Sequence, residues 1–273
     1  MIELIKILLA TSRKGSWNVK GIGIAIPGSV DPESGFVWAP NIEGWSNLDL
    51  FKALHDAVKF NDGPIVIDCD RSCYILGEQW KGNAKGCTDA IYLAVGTGIG
   101  AGILCNGQIL NGRSGIAGAI GWMALDRPYL EDYQDCGCFE FHASGTGLAK
   151  NFHRSMDINP LSNAHLTKSQ AYSAKDVFTG YRNGDTQAVK IIERAIGYWG
   201  MATANLISLF NPEIIIFGGG IFGPAVSLID EIRSEAEKWA QPLSFKQVKM
   251  TGSALGRDAG LFGAARLAIN TMH

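Results

Sequence analysis

Apolar residues recur along the chain at two different spacings, one typical of helices and one typical of strands. Near the N-terminus, Ile2, Ile5, Leu8 and Leu9 share one face at helical spacing and predict the end of an amphipathic helix over residues 1–12. The same spacing predicts further helices at about 48–60, 71–81, 144–156, 173–182, 186–209, 225–240 and 257–270.

Short apolar runs predict strands at 21–26, 65–67, 90–95 and 213–217. The pair Asn106-Gly107 stands between two further apolar runs and predicts a two-residue β-hairpin. Either Ser46 or Asn47 is predicted to cap the helix that begins near residue 48. Strands that alternate with helices are typical of a parallel or mixed sheet covered by helices, so the pattern predicts an α/β fold.

The composition narrows the classes of function. The 273 residues include 24 Lys+Arg and 26 Asp+Glu, and the net charge of −2 argues against a nucleic-acid partner, whose surface would carry a basic excess. No apolar run reaches the roughly 18 residues of a membrane helix, so no membrane partner is expected. The six cysteines occur without a secretory signal, which predicts free thiols in a cytoplasmic protein. The 34 glycines are about 12% of the chain, above the ordinary share of about 7%, and we expect the excess in turns or ligand loops.

Closely spaced glycines form the first candidate site, Gly96-Thr97-Gly98-Ile99-Gly100, directly after a predicted strand. Glycines let backbone N–H groups approach an anion, so the loop is a candidate phosphate site. A dinucleotide-binding loop is disfavoured because a hairpin follows it in place of a helix. A P-loop is disfavoured because no Gly-Lys-Ser/Thr occurs. The alternative is a tight turn between two antiparallel strands.

Two further candidates follow predicted strands. The run Gly218-Gly219-Gly220 either lets a planar ligand lie against bare backbone or forms a flexible turn. Asp68 and Asp70 follow the strand at 65–67, where α/β sheets collect ligands. Asp70 is either a general base that takes a proton from a hydroxyl or the N-cap of the next helix.

A cysteine pair with a nearby histidine is the last candidate. Cys136 and Cys138, with His142, resemble half of a zinc site, but only two thiols cluster, so zinc is disfavoured. Glu140 is either a carboxylate that faces a substrate or a capping residue. Trp122 is either a core or rim aromatic or a platform on which a ligand stacks.

Taken together and in this order, these segments resemble the ROK family of repressors, open reading frames and sugar kinases. The resemblance covers nearly the whole chain, and each segment stands where the family has a motif. The segments are Gly21–Asp31 ("PG.VD"), Ala39–Asn41 ("APN") with Trp45, Asp68–Asp70 with Leu76–Glu78 ("ENDAN…LGE"), Val95–Gly100 (second phosphate motif), Gly118–Trp122 ("GEIGH"), Gly137–Glu140 with Ala143–Thr146 ("GCLEAYASGT"), Asn211–Gly220 (adenosine motif) and Asp258–Ala265 (C-terminal helix).

The resemblance implies an actin-like ATPase fold of the hexokinase and ribonuclease H type, with two α/β lobes around a cleft. Residues 1–82 would form the N-terminal lobe and residues 83–256 the C-terminal lobe, with the helix over 257–273 packing back on the N-terminal lobe. A sugar substrate, ATP, Mg²⁺ and a homodimer are implied as well.

The resemblance also implies roles for individual residues. Asp70 would be the general base, and Asn41 and Glu140 would bind sugar hydroxyls. Three loop residues would hold phosphates and three glycines would face the adenosine: Gly96, Thr97 and Gly98, and Gly218, Gly219 and Gly220.

Three departures from the family pattern affect these roles. The first phosphate motif, "DxGGT", is absent, so we expect the N-terminal lobe to be truncated. Ala119 and Trp122 replace the Glu and His of "GEIGH", and Trp122 either stacks on a sugar or fills the space. Of the family's zinc cysteines only Cys138 remains, so no structural zinc is expected. The leading hypothesis is a glucokinase- or fructokinase-like sugar kinase; the alternative is a non-catalytic sugar-binding or regulatory relative, or an inactive fragment of a longer kinase.

Overall fold

The computed structural model describes residues 1–31, 34–39, 42–158 and 172–272. The helices are α1 (Ile2–Lys14), α2 (Leu50–Val58), α3 (Asp70–Lys81), α4 (Tyr133–Cys136), α5 (Cys138–Ala143), α6 (Gly145–Ile158), α7 (Ala174–Arg182), α8 (Thr186–Phe210), α9 (Ile229–Glu237), α10 (Pro242–Gln247) and α11 (Ala259–Asn270). The strands are β1 (Ile22–Ile26), β2 (Ser29–Val30), β3 (Val37–Trp38), β4 (Ile65–Cys69), β5 (Ala90–Val95), β6 (Ile99–Cys105), β7 (Gln108–Ile109), β8 (Ile214–Gly218) and β9 (Lys249–Gly252). The predicted α/β class is confirmed.

The strands β1 and β4 form a parallel pair, and α11, from the far end of the chain, packs on β1 and on α3. Glycines allow these elements to come close together. A Cβ atom at Gly23 would lie 1.7 Å from the Ala264 carbonyl oxygen, and one at Gly263 would lie 1.7 Å from the Cys73 carbonyl oxygen. The C-terminal helix is therefore pressed against β1, the neighbour of β4, and against α3, which begins at Asp70.

A five-stranded sheet with the order β7-β6-β5-β8-β9 forms the second layer. Strands β5, β8 and β9 run parallel, and β6 and β7 extend the sheet as antiparallel hairpins. Helices α5, α6 and α8 cover one face, where Phe139, Trp199 and Phe217 are fully buried. Because β5 and β8 are parallel neighbours, their carboxyl ends meet at one edge of the sheet, which brings the two glycine loops together.

Most predicted elements are confirmed to within a few residues, including the hairpin at Asn106-Gly107, where both residues have positive φ. Three details of the prediction are wrong. Leu8 is 59% exposed, because the buried face of α1 centres on Ile5. The N-cap of α2 is Asp49, which accepts a hydrogen bond from the Lys52 N–H at 2.9 Å.

The third wrong detail is the helix expected over 225–240, which is a 3₁₀ turn at Pro224–Leu228 followed by α9. Strands β2, β3 and β9 and helices α4, α5 and α10 were not predicted, because elements of two to six residues are too short for a periodic pattern. Within the described ranges, no helix combines the length and the apolar character that crossing a bilayer requires.

Candidate active site

The loop between β5 and β6 forms one wall of the site. Gly96 donates its N–H to the Gly98 carbonyl at 2.9 Å, and the Gly96 carbonyl accepts from the N–H of Gly145, the first residue of α6, at 2.7 Å. Among the described residues, the N–H groups of Thr97 and Gly98 make no hydrogen bond. The loop is thus held rigidly against α6 while two donors stay available for an anion.

A cavity of about 820 Å³ opens beside this loop. Gly96 and Thr97 line it together with Lys150 of α6, Lys175 of α7 and Gly220. A Cβ atom at Gly96 or at Gly220 would meet nothing within 4 Å, so bare backbone faces open space at both positions. Backbone donors and two ammonium groups around one cavity suit a phosphorylated ligand.

The glycine run after β8 has three distinct surroundings. A Cβ atom at Gly218 would lie 1.9 Å from the Tyr92 hydroxyl oxygen, so this glycine makes room for a buried ring. Gly219 has a φ of +86° and would bring a Cβ atom to 2.3 Å from the Val95 carbonyl oxygen, so it is required by backbone geometry. All three line a second cavity of about 620 Å³, and Gly220 alone of them also lines the cavity with the lysines.

Asp70 is the first residue of α3 and does not cap it. The N-cap is Cys69, whose Sγ accepts from the Ser72 N–H at 3.4 Å. The Tyr74 hydroxyl donates to Asp70 Oδ2 at 3.2 Å. Burial raises the pKa of the Asp70 carboxyl, and the nearby Arg71 opposes that shift only in part. Asp70 is therefore a partly buried carboxylate that is a stronger base than a fully exposed aspartate.

Asp68 lies beside it at the end of β4. Its Oδ1 accepts from the Cys69 N–H at 2.6 Å. Burial also raises the pKa of the Asp68 carboxyl, against the effect of that hydrogen bond. Two carboxyl groups with raised pKa values thus stand at the strand end.

Glu140, the carboxylate that the family motif assigns to the sugar, is presented by the short helix α5. Its Oε2 accepts from the Ile99 N–H at 2.7 Å, and burial raises the pKa of its carboxyl. Cβ atoms at Gly98 and Gly121 would lie 2.7 and 2.9 Å from the same oxygen. Gly98 therefore leaves room for Glu140, a role that its place in a glycine-rich loop did not reveal.

Two hydrogen bonds hold α5 in place. The indole N–H of Trp199 donates to the Ala143 carbonyl at 3.1 Å, and the Asn151 amide donates to the Phe141 carbonyl at 3.1 Å. Carbonyls at the C-terminal end of a helix have no partner within the helix, so these contacts stabilise an end that would otherwise fray.

The cysteine–histidine segment forms an aromatic cluster. The buried His142 ring stacks on Tyr198 with ring centroids 4.4 Å apart, and its Nε2 is 2.7 Å from the Tyr133 hydroxyl. Burial lowers the pKa of His142 to about 4, so the ring is neutral at pH 7. In the described part of the chain, no group of three or more His, Cys, Asp and Glu side chains is placed to hold a metal ion. Trp122 is 59% exposed beside this cluster, and this exposure argues against a role as core filler.

Some functional candidates were not found from the sequence. Lys150 and Lys175 were missed because a single lysine on a predicted helix belongs to no motif. Arg71 and Tyr74 were missed because nothing in the sequence distinguishes them from other residues in the first turns of a helix. A check of which side chains follow Asp70 at helical spacing would have identified Tyr74. Asn41, the predicted sugar ligand, lies outside the described residues.

Comparisons with known proteins identify the family and the fold of this chain. The ROK family model matches residues 1–271. A glucokinase from Halalkalibacterium halodurans is 33% identical over 267 residues, which is 95% of this chain and 79% of that protein. A xylose repressor from Bacillus spizizenii is 27% identical over 272 residues, 98% of this chain and 66% of the repressor.

The solved structures include a ROK family glucokinase from Streptomyces griseus in complex with glucose and AMPPNP. It is 27% identical, superposes with a TM-score of 0.77, and covers 98% of this chain and 88% of its own. Structural neighbours of this kind confirm the actin-like ATPase fold that the sequence motifs implied. On the match over residues 1–271 and the glucokinase relative, the chain belongs to the ROK family.

Proposed function

We propose that this ROK protein is a sugar kinase that transfers the γ-phosphoryl group of ATP to a hexose hydroxyl, with Asp70 as general base. The observation that carries the proposal is the Asp70 carboxylate. It stands at the start of α3 without a capping role, is oriented by Tyr74, and has a pKa raised by burial. The similarity to a glucokinase and to a glucokinase structure with glucose and AMPPNP supports the same reaction.

In this reaction each predicted site residue has a defined role. Asp70 takes the proton of the acceptor hydroxyl as its oxygen forms a bond to the γ-phosphorus, and the bond from the γ-phosphorus to the bridging oxygen breaks to release ADP. Glu140, with Oε2 held by Ile99, presents its other oxygen to a second sugar hydroxyl. Asn41 is assigned to the sugar by the family resemblance.

The nucleotide is assigned to the cavity of about 820 Å³. The N–H groups of Thr97 and Gly98 would donate to phosphate oxygens, and Lys150 and Lys175 would offset their charge. Gly220 would lie against the adenosine, with Gly218 and Gly219 behind it. This is positioning and charge stabilisation, which account for most catalysis of phosphoryl transfer.

The donor set at the end of β4 suits Mg²⁺ that arrives with the nucleotide. Mg²⁺ is commonly held by one or two protein carboxylates together with substrate phosphates, and Asp68 would supply such a carboxylate beside Asp70. When bound, the ion would neutralise charge on the transferred group.

We also propose the lobe division 1–82 and 83–256, with 257–273 returning to the first lobe and a homodimer as the assembly. The packing of α11 on α3 and β1 supports the return of the C-terminal helix.

A second candidate function is sugar sensing without catalysis. The similarity to a xylose repressor over 98% of this chain favours it, because a regulator can use the same sugar site without phosphoryl transfer. A piece of a longer kinase would also bind sugar without turnover.

The test is ADP release by the purified chain with ATP and Mg²⁺ across a panel of hexoses and amino sugars, together with calorimetric sugar binding. We expect Asp70→Asn to abolish sugar-dependent turnover and to keep sugar binding. Asp62→Asn, an exposed carboxylate in the loop before β4, is the matched control and should behave as wild type. Unchanged turnover in Asp70→Asn would remove Asp70 as the base, whereas sugar binding without any turnover would favour the sensor.

A further inference from the structure

The outer edge of β1 is unpaired in the β1–β4 sheet. Ile22 donates its N–H to the Pro64 carbonyl at 2.8 Å, and main-chain groups alternate along a strand, so residues 22, 24 and 26 face β4. The N–H and C=O groups of Gly23 and Ala25 therefore face the other way, where the described residues offer them no hydrogen-bond partner. Such a row of free donors and acceptors is a template for pairing with a further strand.

Helices lie against this sheet from both sides. Ile24 points to the face where Ile5 of α1 packs in the same apolar cluster. Gly23, its neighbour, points to the opposite face, where a Cβ atom would lie 1.7 Å from the Ala264 carbonyl oxygen of α11. The edge of β1 is thus the open side of a layer that has α1 on one face and α11 on the other.

The two helices and the open edge enclose a cavity of about 970 Å³, which we call the β1 groove. Gly23 and Ala25 line it together with apolar side chains that solvent still reaches. Leu4 and Leu8 of α1 are each 59% exposed, and Leu261 of α11 is 73% exposed. Exposed apolar side chains that cluster mark an interaction site. The groove therefore offers main-chain hydrogen bonds and apolar contacts to the same ligand.

The lining specifies what kind of strand fits. Ala264 and Ala268 of α11 face the groove, and α11 lies close enough to the sheet to touch the backbone of Gly23. A strand beside β1 thus has room only for small side chains on that face. On the other face, larger apolar side chains would cover Leu4 and Leu8. Side chains of an extended chain alternate between faces, so large and small residues should alternate.

A second copy of the chain fits this groove poorly. It would offer the same edge between its own α1 and α11, and the helices of the two copies would meet before their β1 strands reached the spacing of about 4.8 Å between paired strands. A single extended segment has no such flanks. Lys20 lines the groove at the start of β1, so an acidic residue suits that end of the segment.

We propose that the β1 groove binds an extended strand of another polypeptide, with large apolar residues toward α1, small residues toward α11 and an acidic residue beside Lys20. Main-chain hydrogen bonds to Gly23 and Ala25 supply affinity, and the alternating side chains supply specificity. Asp70 and Tyr74 line the same groove, so the docked strand also covers the candidate base from this side. Docking does not require the kinase activity.

The test is calorimetric binding of a capped octapeptide, Lys-Val-Ala-Val-Ala-Val-Ala-Glu, to the full chain. Bound antiparallel to β1, this peptide places its glutamate beside Lys20 and its lysine toward Asp70. Its control is the same peptide with every amide of the apolar stretch N-methylated, which removes the donors that a strand needs. We expect the first peptide to bind and to slow hydrogen exchange at the Gly23 and Ala25 amides, and the methylated peptide not to bind.

Two variants and a matched control test the geometry. Leu8→Glu places a charge in the groove and should weaken the peptide about tenfold or more, because an unpaired carboxylate is costly to bury. Ala25→Pro removes an N–H that β4 does not use and should weaken the peptide about fivefold or more. Ile7→Glu is the control, because Ile7 is also 59% exposed on α1 but does not line the groove, and it should change affinity less than about twofold.

Four results would overturn the proposal. The first is no binding of the octapeptide at millimolar concentration, and the second is equal binding of the methylated peptide, which would indicate apolar adhesion without strand pairing. The third is equal weakening by Leu8→Glu and Ile7→Glu. The fourth is a concentration-dependent dimer in sedimentation that Leu8→Glu abolishes, which would make a second copy the occupant. If Ala25→Pro does not fold, as judged by thermal denaturation, Leu8→Glu and the methylated peptide decide.

Discussion

Gly98 and Gly96 lie two residues apart in one loop but meet different surroundings. A Cβ atom at Gly98 would lie 2.7 Å from Oε2 and 3.0 Å from Oε1 of Glu140, whereas one at Gly96 would meet nothing within 4 Å. Neither glycine has a positive φ, so alanine is compatible with the backbone at both positions. Gly98→Ala and Gly96→Ala therefore form a matched pair that differs in what the added methyl group contacts.

The size of the expected effect follows from the contact between Gly98 and Glu140, which the added methyl group would displace. Gly98→Ala pushes the Glu140 carboxylate off the Ile99 N–H, which it now accepts at 2.7 Å. A hydrogen bond to a charged group contributes about 1.5–3 kcal/mol, and Glu140 is only partly buried, so we expect the free energy of unfolding to fall by about 1.5 kcal/mol. Sugar affinity should fall about tenfold or more, because the displaced carboxylate no longer meets the hydroxyl. Gly96→Ala should change stability by less than about 0.5 kcal/mol and leave sugar binding intact.

The assay is urea unfolding followed by tryptophan fluorescence, with calorimetry for the sugar that binds best and for a non-hydrolysable ATP analogue. Gly96→Ala should weaken binding of the ATP analogue, because the added methyl group projects into the cavity that Lys150 also lines. The reasoning is refuted if Gly98→Ala keeps the wild-type sugar affinity, or if the two variants lose stability equally.

Three further predictions follow from the buried titratable groups. Asp70→Asn should raise Tm at pH 7 although turnover is lost. Burial raises the pKa of the Asp70 carboxyl, so the stability that this group contributes below its ordinary pKa of 3.8 is lost as pH rises through the pKa of the folded state. Asparagine does not ionise and avoids this loss, so a Tm below that of wild type would contradict the prediction. For the same reason kcat/KM should fall on the acid side as Asp70 is protonated, at a pH above 3.8, and a pH–rate profile that stays flat to pH 4 would argue against Asp70 as base. His142, with a pKa lowered from 6.5 to about 4, contributes stability above pH 6.5 that is lost as pH falls toward 4. Urea unfolding at pH 7 and pH 4.5 should show a smaller loss for His142→Phe than for wild type, and an equal loss would contradict the buried neutral ring.

Local pattern was enough to predict the class of the fold and to nominate the residues of the candidate site. Helical and strand spacing identified most long elements, and a two-residue Asn-Gly turn identified the hairpin after β6, because these signals depend on neighbours within a few residues. The glycine loops after β5 and β8 were also expected to meet from the order of residues, since these two parallel strands end on a common edge. Asp70 follows β4, which lies in the separate pair with β1. The family motifs then assigned roles to those positions.

Tertiary contact decided what the individual residues at that edge do. The sequence predicts that Gly98 belongs to a phosphate-binding loop. In the structure, the absence of a side chain at Gly98 leaves room for the carboxylate of Glu140, which lies forty-two residues later along the chain. Cys69 caps α3, so Asp70 has no capping role in that helix. Burial, which raises the pKa values of Asp70 and Glu140 and lowers that of His142, comes from segments far apart in sequence. Spacing along the chain sets which residues share a face, whereas distances and desolvation depend on what packs against that face, and only the folded chain determines them.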